Sequence, residues 1–343
     1  MIIKSLNLSD KDEVRKWDDF VQKHGQLYHD SRWTDILRSA YSFRPLYLYG
    51  EEDGAIVSVL PLFLVKKPLG GNEIVCVPHS DAAGMINTES YWMYLDYLYD
   101  HGRADTIKII QFMEPLGDLS ANTSEVDIIK DLPLTTAGII DSVPDSQKRK
   151  HLKKSLKKSY ELIIGNDSNM FSDFYALYLD KMRSFGTPPH PFRYFNAIRE
   201  AFGDACTITA AKDSRGAIVG AMLSVGFARM LNCLCFAVPA DHLKNLAGYF
   251  IEYHVMESAI ANGYSSMNMG RCEIKGGNCD FKIGMGGKPA QLYRYRFELA
   301  ADGYRCVEVR TSKEKFRSQA QIWAKLPPLI TDNIGPLIRK WVY

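Results

Sequence analysis

One stretch of this chain occurs twice. Residues 46–65 read LYLYGEEDGAIVSVLPLFLV, and residues 208–228 read ITAAKDSRGAIVGAMLSVGFA. Each is an apolar strand, a charged turn, the run Gly-Ala-Ile-Val and a second apolar strand, with Gly54 matched by Gly216. An acidic residue and a glycine between two apolar runs signal a hairpin. The same hairpin in both halves points to two copies of one folding unit. A length of 343 residues suits two domains that each bury a core. We place the boundaries at 1–143 and 144–311, followed by a helical tail, 312–343, packed on the second domain.

Composition narrows the class. Hydrophobic residues make up 46% of the chain and charged residues 24%, as in ordinary soluble globular proteins. The formal net charge of +2 imposes no partner, so only a local basic patch could argue for a polyanion. The N-terminal segment lacks an apolar core of signal-peptide length, and the longest apolar run, Ala55 to Val65, is too short to span a bilayer. A cytoplasmic location is therefore expected. The seven cysteines include no Cys-x-x-Cys pair, which argues for reduced thiols. Cys233 and Cys235 read as core positions on one strand face. Cys272 and Cys279 fall in a glycine-rich stretch, the one place where redox or metal chemistry would arise.

Along the chain, a first strand leads to Ser9, read as a helix cap, and then to a buried stripe of Val14, Trp17 and Val21. A second helix carries Trp33, Ile36, Leu37, Ala40 and Tyr41 at helical spacing. After a strand, VCVPHSDAAGM offers His79 and Asp81 in a loop of small residues. Beyond Pro144 the composition shifts to SQKRKHLKKSLKKSYEL, a helix whose Lys153, Lys154 and Lys157 have no interleaved acids. Such like charges repel one another; the segment is either a solvated face or a polyanion site. Ser172 reads as the cap of a further helix. MRSFGTPPHPFRYF then holds Arg183 and His190 beside three prolines, either as a stiff rim for an anion or as a rigid turn. His254, in an apolar helix, reads as a packed core residue. The tail from Lys313 carries Phe316, Trp323 and Trp341 and breaks at Pro327-Pro328.

The segment from Met267 to Leu299, MNMGRCEIKGGNCDFKIGMGGKPAQLYRYRFEL, begins as a strand, is expected to open at Gly270-Arg271 into a glycine-rich loop, and ends as a strand of aromatics and arginines. Backbone N–H groups and the cations Arg271 and Lys282 near a strand end suit an anion or oxyanion.

This run resembles the C-terminal signature of FemAB-like transferases, in particular the branch associated with exopolysaccharide and PEP-CTERM loci. The resemblance extends to Pro78, Asp81 and Gly84, to the basic helix after Pro144, and to the run from Met182 to Pro188. It implies an α/β (α+β) architecture of two tandem GNAT-like (N-acyltransferase) domains, each a mixed, mostly antiparallel sheet flanked by helices. It implies an acyl or aminoacyl transferase acting on an amine or hydroxyl of a cell-envelope or exopolysaccharide precursor, since Fem members pass amino acids from aminoacyl-tRNA to a peptidoglycan precursor.

No permanently bound cofactor is implied. The donor would be aminoacyl-tRNA or acyl-CoA, with possible peripheral membrane contact at the inner face. The resemblance carries over Phe281-Lys282 as the catalytic pair. It makes Arg271, Arg183, His190, Asp81, His79, Lys153, Lys154 and Lys157 candidates for substrate binding. Cys272 stands where related sequences usually have Ser, and Met285 where they tend to have Trp. Lys244-Asn245-Leu246-Ala247-Gly248 departs from the Arg/Gln-x-x-Gly-x-Gly/Ala turn that holds CoA pyrophosphate in other GNAT proteins. Two other readings remain at this stage: an acyl-CoA-dependent N-acyltransferase, and a non-catalytic binder of an anionic glycan or lipid carrier.

Overall fold

A computed structural model describes residues 1–68, 70–102, 104–239, 242, 244–309 and 320–343. The expected tail positions Lys313 and Phe316 lie outside the described residues. In chain order the elements begin with β1 (Ile2–Ser5), α1 (Lys11–His24), α2 (Trp33–Tyr41), β2 (Arg44–Glu52), β3 (Ala55–Lys66), β4 (Asn72–Cys76), α3 (Tyr91–His101) and β5 (Thr106–Phe112). They continue with β6 (Glu125–Asp131), α4 (Ser146–Ser155), β7 (Glu161–Gly165), α5 (Ser168–Ser184), α6 (Phe192–Phe202), β8 (Cys206–Lys212), β9 (Ile218–Phe227) and β10 (Met230–Ala237). The rest are α7 (Ala247–Ala261), β11 (Ser266–Glu273), α8 (Gly277–Gly284), β12 (Lys288–Ala300), β13 (Gly303–Val307) and α9 (Pro328–Arg339).

The chain forms two compact units, Met1–Val126 with Ala290–Thr311 and Tyr343, and Asp127–Pro289 with Ser312–Val342. This differs from single cuts at 143/144 and 311/312. The reason is β12, which hydrogen-bonds antiparallel along β5 from Leu292↔Phe112 to Glu298↔Thr106 and so belongs with the first unit.

Within each unit the same order recurs. In unit 1, β1, β2, β3 and β4 pair antiparallel in sequence, and β5 lies parallel to β4. In unit 2, β7, β8, β9 and β10 do the same, with β11 parallel to β10. Two helices follow the first strand of each set (α1 and α2; α5 and α6), and one crosses between the fourth and fifth (α3; α7). That crossover is what a parallel pair requires, because a tight turn cannot return the chain in the same direction. Each parallel pair is short: β4 and β5 pair over Glu73–Val75, and β10 and β11 only over Met230–Asn232, although β10 continues to Ala237. Beyond those residues the strands part into a fork.

The duplicated hairpins are present in both units. Asp53 (φ +49°) and Gly54 (φ +79°) form the two-residue turn between β2 and β3, with both residues left-handed as a type I′ turn demands. In unit 2 the loop is longer. Gly216 sits at φ +85°, and the Asp213 carboxylate accepts from the backbone N–H groups of Arg215 and Ala217 at 2.9 and 3.1 Å.

The aromatic stripes fill the cores as expected. Trp17 and Trp33 are fully buried, and their indole N–H groups donate to the carbonyls of His29 (2.9 Å) and Leu27 (2.8 Å), which removes the penalty for burying them. His29 donates from Nε2 to Gly84 O at 2.8 Å and accepts at Nδ1 from the Gln26 N–H, so burial keeps it neutral and pushes it down to about 4. Two caps differ from the sequence reading. Asp10, not Ser9, accepts from the N–H groups of Asp12 and Glu13. Asp167 caps α5, while Ser172 lies inside it and donates to Ser168 O. In both cases the carboxylate stands at the position from which two orphan N–H groups are in reach. Among the described residues no helix is long and apolar enough to cross a membrane.

A side chain added at Gly54 would meet no atom within 4 Å. Gly54→Ala should therefore expose the backbone cost alone, a loss of about 1–2 kcal/mol measured by urea unfolding. Gly216→Ala, whose new Cβ would have only ordinary contact with Lys212, should lose a similar amount.

Candidate active site in the second unit

The fork of unit 2 is where the candidate residues gather. The sequence suggested a glycine loop after Gly270, but β11 runs on through Arg271 to Glu273, and Phe281-Lys282 stand on the short helix α8. Burial explains the difference: Cys279 and Met285 are 3% and 0% exposed, and anchoring them stabilises a turn that glycine propensity alone would not. Gly270 has φ +82°, a conformation costly for any residue with a Cβ, and its N–H donates to Asn268 Oδ1 at 2.7 Å. This kink lets the carbonyls of both Gly270 and Arg271 accept from Lys282 Nζ, at 2.7 and 3.3 Å.

Lys282 is thus held from two sides. An ammonium group has three N–H donors, and these two carbonyls use two of them. Its charge acts on Glu252 of α7, a carboxyl only 4% exposed whose Oε2 has no hydrogen-bond partner among the described residues. Desolvation pushes the Glu252 acid up to about 7, and the charges of Lys282 and Lys130 hold it from rising further. Lys130, on β6, is 1% exposed and donates to Ser142 O at 3.1 Å; burial lowers its pKa from the usual lysine value. Lys181, on α5, also faces Lys282, and its desolvated ammonium is likewise pulled down. Its Nζ lies 5.4 and 5.6 Å from the ring centroids of Phe185 and Phe236. Glu252, Lys130 and Lys181 were not singled out in the sequence. A lone acid inside the apolar run FIEYHVM was a usable signal for Glu252, since an unpaired buried charge is rare.

Around this centre Phe281 meets Tyr249 edge to face (5.4 Å, 67°), and Tyr249 in turn meets His151 of α4 (5.3 Å, 68°). The basic helix is therefore packed on α7 through aromatic rings. Lys154 and Lys157 line two hollows: one of about 310 Å³ shared with Ser146, Lys150 and Lys153, the other of about 530 Å³ shared with His151, Lys158 and Lys244. Leu246, at φ +67°, precedes the first turn of α7 beside the larger one. Lys153, Lys154 and Lys157 are exposed and make no ion pair among the described residues.

Other candidates are engaged elsewhere. Arg183 pairs with Asp180 (2.9 Å) and Asp332 (3.1 Å), fastening α9 to α5, so its guanidinium is occupied by carboxylates and does not form the expected anion rim. His190 is 9% exposed and stacks on Tyr194 at 4.3 Å, with Nε2 3.2 Å from Arg339, so it is a packed ring. His79 and Asp81 belong to unit 1, where His79 (φ +69°) packs its ring at a tilt on Tyr41 at 4.7 Å. Arg271 stands on β11 beside the kink. Cys272 is buried and hydrogen-bonded with Cys279, and desolvation pushes its thiol up to about 12, far from a reactive thiolate. No group of His, Cys, Asp and Glu able to hold a metal occurs among the described residues. His254 pairs with Glu257 at 2.8 Å and packs on Phe250.

Comparison with known proteins bears on this arrangement. Residues 146–283, which include the basic helix, the fork and Lys282, match the Acetyltransferase (GNAT) domain family. The chain has a tandem GNAT fold. FemX shares the fold with a TM-score of 0.65 at 13% identity, over 86% of this chain and 97% of FemX. So does L-PGS from Bacillus licheniformis, with a TM-score of 0.52 at 12% identity over 92% of this chain and 98% of that one. A tandem GNAT protein from the clavulanic acid biosynthesis pathway gives 0.52 at 12% identity, over 86% and 98%. No curated protein matches by sequence. The tandem GNAT architecture agrees with the repeated strand order described above, and acyl transfer is the reaction class of the matched domain.

The Glu252 acid predicts a measurable pH effect. Its folded pKa, about 7, lies above the usual carboxyl value of 4.5, so between those pH values the folded state holds a proton the unfolded chain has released. Stability contributed by this group is full below pH about 4.5 and declines as pH rises through about 7. Glu252→Gln should flatten that decline in urea midpoints measured from pH 4.5 to 7.5.

Proposed function

We propose that this FemAB-like protein transfers an acyl or aminoacyl group from an activated ester or thioester to an amine or hydroxyl on a cell-envelope precursor. The observation that carries this reading is the fixed ammonium of Lys282. Two N–H bonds are anchored on Gly270 and Arg271, and the third is left for a substrate oxygen. A donor that is already activated needs no covalent nucleophile; it needs alignment with the acceptor, which can remove on the order of 7 kcal/mol of barrier. It also needs a donor for the oxygen of the tetrahedral intermediate, worth roughly 3 kcal/mol. Lys282 fills the second role at low reorganisation cost because its position is set before substrate arrives. Gly270 and Arg271 orient it, and the paired rings of Phe281 and Tyr249 would limit water beside it.

The lysines of α4 with Lys244 would hold the phosphates of the donor, either aminoacyl-tRNA or acyl-CoA, with no cofactor bound permanently. Two hollows sharing Lys154 and Lys157 favour an extended polyanion over a compact diphosphate. The shared fold with FemX and L-PGS supports an envelope acceptor, peptidoglycan-like or exopolysaccharide. Exposed Leu329, Ile334 and Leu337 on α9 would suit an acceptor presented at a membrane surface, a contact that liposome co-sedimentation reads directly.

Lys282→Met, folded by its thermal melt, should lose about a hundredfold or more of transfer, mostly in kcat. An active variant would remove Lys282 from the mechanism; binding of the precursor without any turnover of donor by the unaltered chain would instead favour a binding protein. Replacing Lys153, Lys154 and Lys157 together with Glu should abolish tRNA binding and its salt dependence. Competition by CoA for the same hollows would instead favour an acyl-CoA donor.

A further inference from the structure

The charges acting on Lys181 do not balance. Carboxyl groups act on its neighbours, Glu252 on Lys282 and Lys130 and Asp131 on Lys130. On Lys181 the titratable groups that act are the Cys235 thiol and Lys282 itself, a neutral group and a like charge. Burial pushes that thiol up to about 12, so it stays neutral and offers no counter-ion. Among the described residues Lys181 makes no ion pair; its Nζ rests instead near the rings of Phe185 and Phe236, at 5.4 and 5.6 Å. An aromatic face offsets part of an ammonium's lost hydration but none of its repulsion from a second ammonium.

One half-buried cation lies against Phe236 of β10 and the other against the Gly270 and Arg271 carbonyls of β11, so both stand beyond the point where the strands part, and a bound anion would relieve their repulsion. The oxyanion of a tetrahedral intermediate needs only Lys282. Lys181 comes from a different element, α5, and lies against Phe236 on β10. It is therefore placed for a second negative group on the same ligand.

We propose that the fork between β10 and β11 selects a transferred acyl group carrying a carboxylate of its own, held by Lys181 while Lys282 takes the reacting carbonyl. The donor class is then an ester or thioester of a dicarboxylic acid or of an acidic amino acid. A side chain ending in an ammonium is disfavoured by the same field. This rests on the acyl-transfer reading above and adds the charge of the group transferred.

The test is a charge series of equal length. The succinyl, succinamyl and β-alanyl thioesters of N-acetylcysteamine end in a carboxylate, a neutral amide and an ammonium, and binding to the full chain is measured by calorimetry without any acceptor. The succinyl probe should bind at least about tenfold more tightly than the amide, and the β-alanyl probe more weakly still. Lys181→Glu should reverse that order, and Lys181→Met should remove it; thermal melts show which variants fold. If neither variant folds, the order among the three probes on the unaltered chain still decides. Equal binding of the three probes, or no binding of any, overturns the proposal. Because no acceptor is present, these results are separate from the loss or retention of transfer in Lys282→Met, which judges the acyl-transfer reading itself.

Discussion

The ammonium of Lys282, fixed by the carbonyls of Gly270 and Arg271, is the contact on which the proposed chemistry of the second unit depends. Parting two strands has an energetic cost, because backbone polar groups that leave a ladder must find other partners. Here a charged side chain meets carbonyls at a kink that only glycine adopts cheaply. The resulting hydrogen bonds are charge-assisted, and they hold the group still. A lysine free in water would have to be oriented during the reaction; this one is oriented by folding.

The first unit shows why a fork alone does not make such a centre. Its β4 and β5 also part after three pairs, but the chain itself fills the space. Gln111, 2% exposed, uses its amide as a strand would use its backbone, accepting from Met85 N–H and donating to Met85 O, both at 2.7 Å. His29 binds Gly84 O beside it. These groups are buried and hydrogen-bonded to backbone. Glu73, at the start of the same strands, accepts from Thr106, Lys108 and Tyr343, and those bonds together with the lysine charge hold it down to about 2 against its own desolvation. In one copy of the unit side-chain hydrogen bonds tie the parted strands together; in the other, Lys181 stands near the parting with no carboxylate acting on it among the described residues.

Much of this was readable from the chain. The turns at Asp53-Gly54 and Gly216, the helices carrying Trp17 and Trp33, and the duplicated order follow from periodicity and turn chemistry, which act over a few residues. Caps were misplaced where a serine and an aspartate compete, because reach to the N–H groups decides and sequence gives only candidates. For Arg183 and His190 the sequence left both an anion rim and a rigid turn open; contacts with Asp332 and Arg339, nearly 150 positions on, favour packing. Lys282 stood out as a cation beside glycine-rich backbone, but its catalytic role with Phe281 came only through a family resemblance, and local propensity favoured a loop where the chain forms a short helix.

By itself the sequence determined two copies of a strand and helix unit, a basic helix at the start of the second, and a lysine beside glycine-rich backbone. Those features follow from side-chain period, charge and the freedom of glycine, all local properties. Tertiary structure alone decided that Glu252, Lys130, Lys181 and Lys282 share one fork, though they lie on α7, β6, α5 and α8. Their charges matter because burial removes the water that would screen them, and burial is a property of the assembled unit.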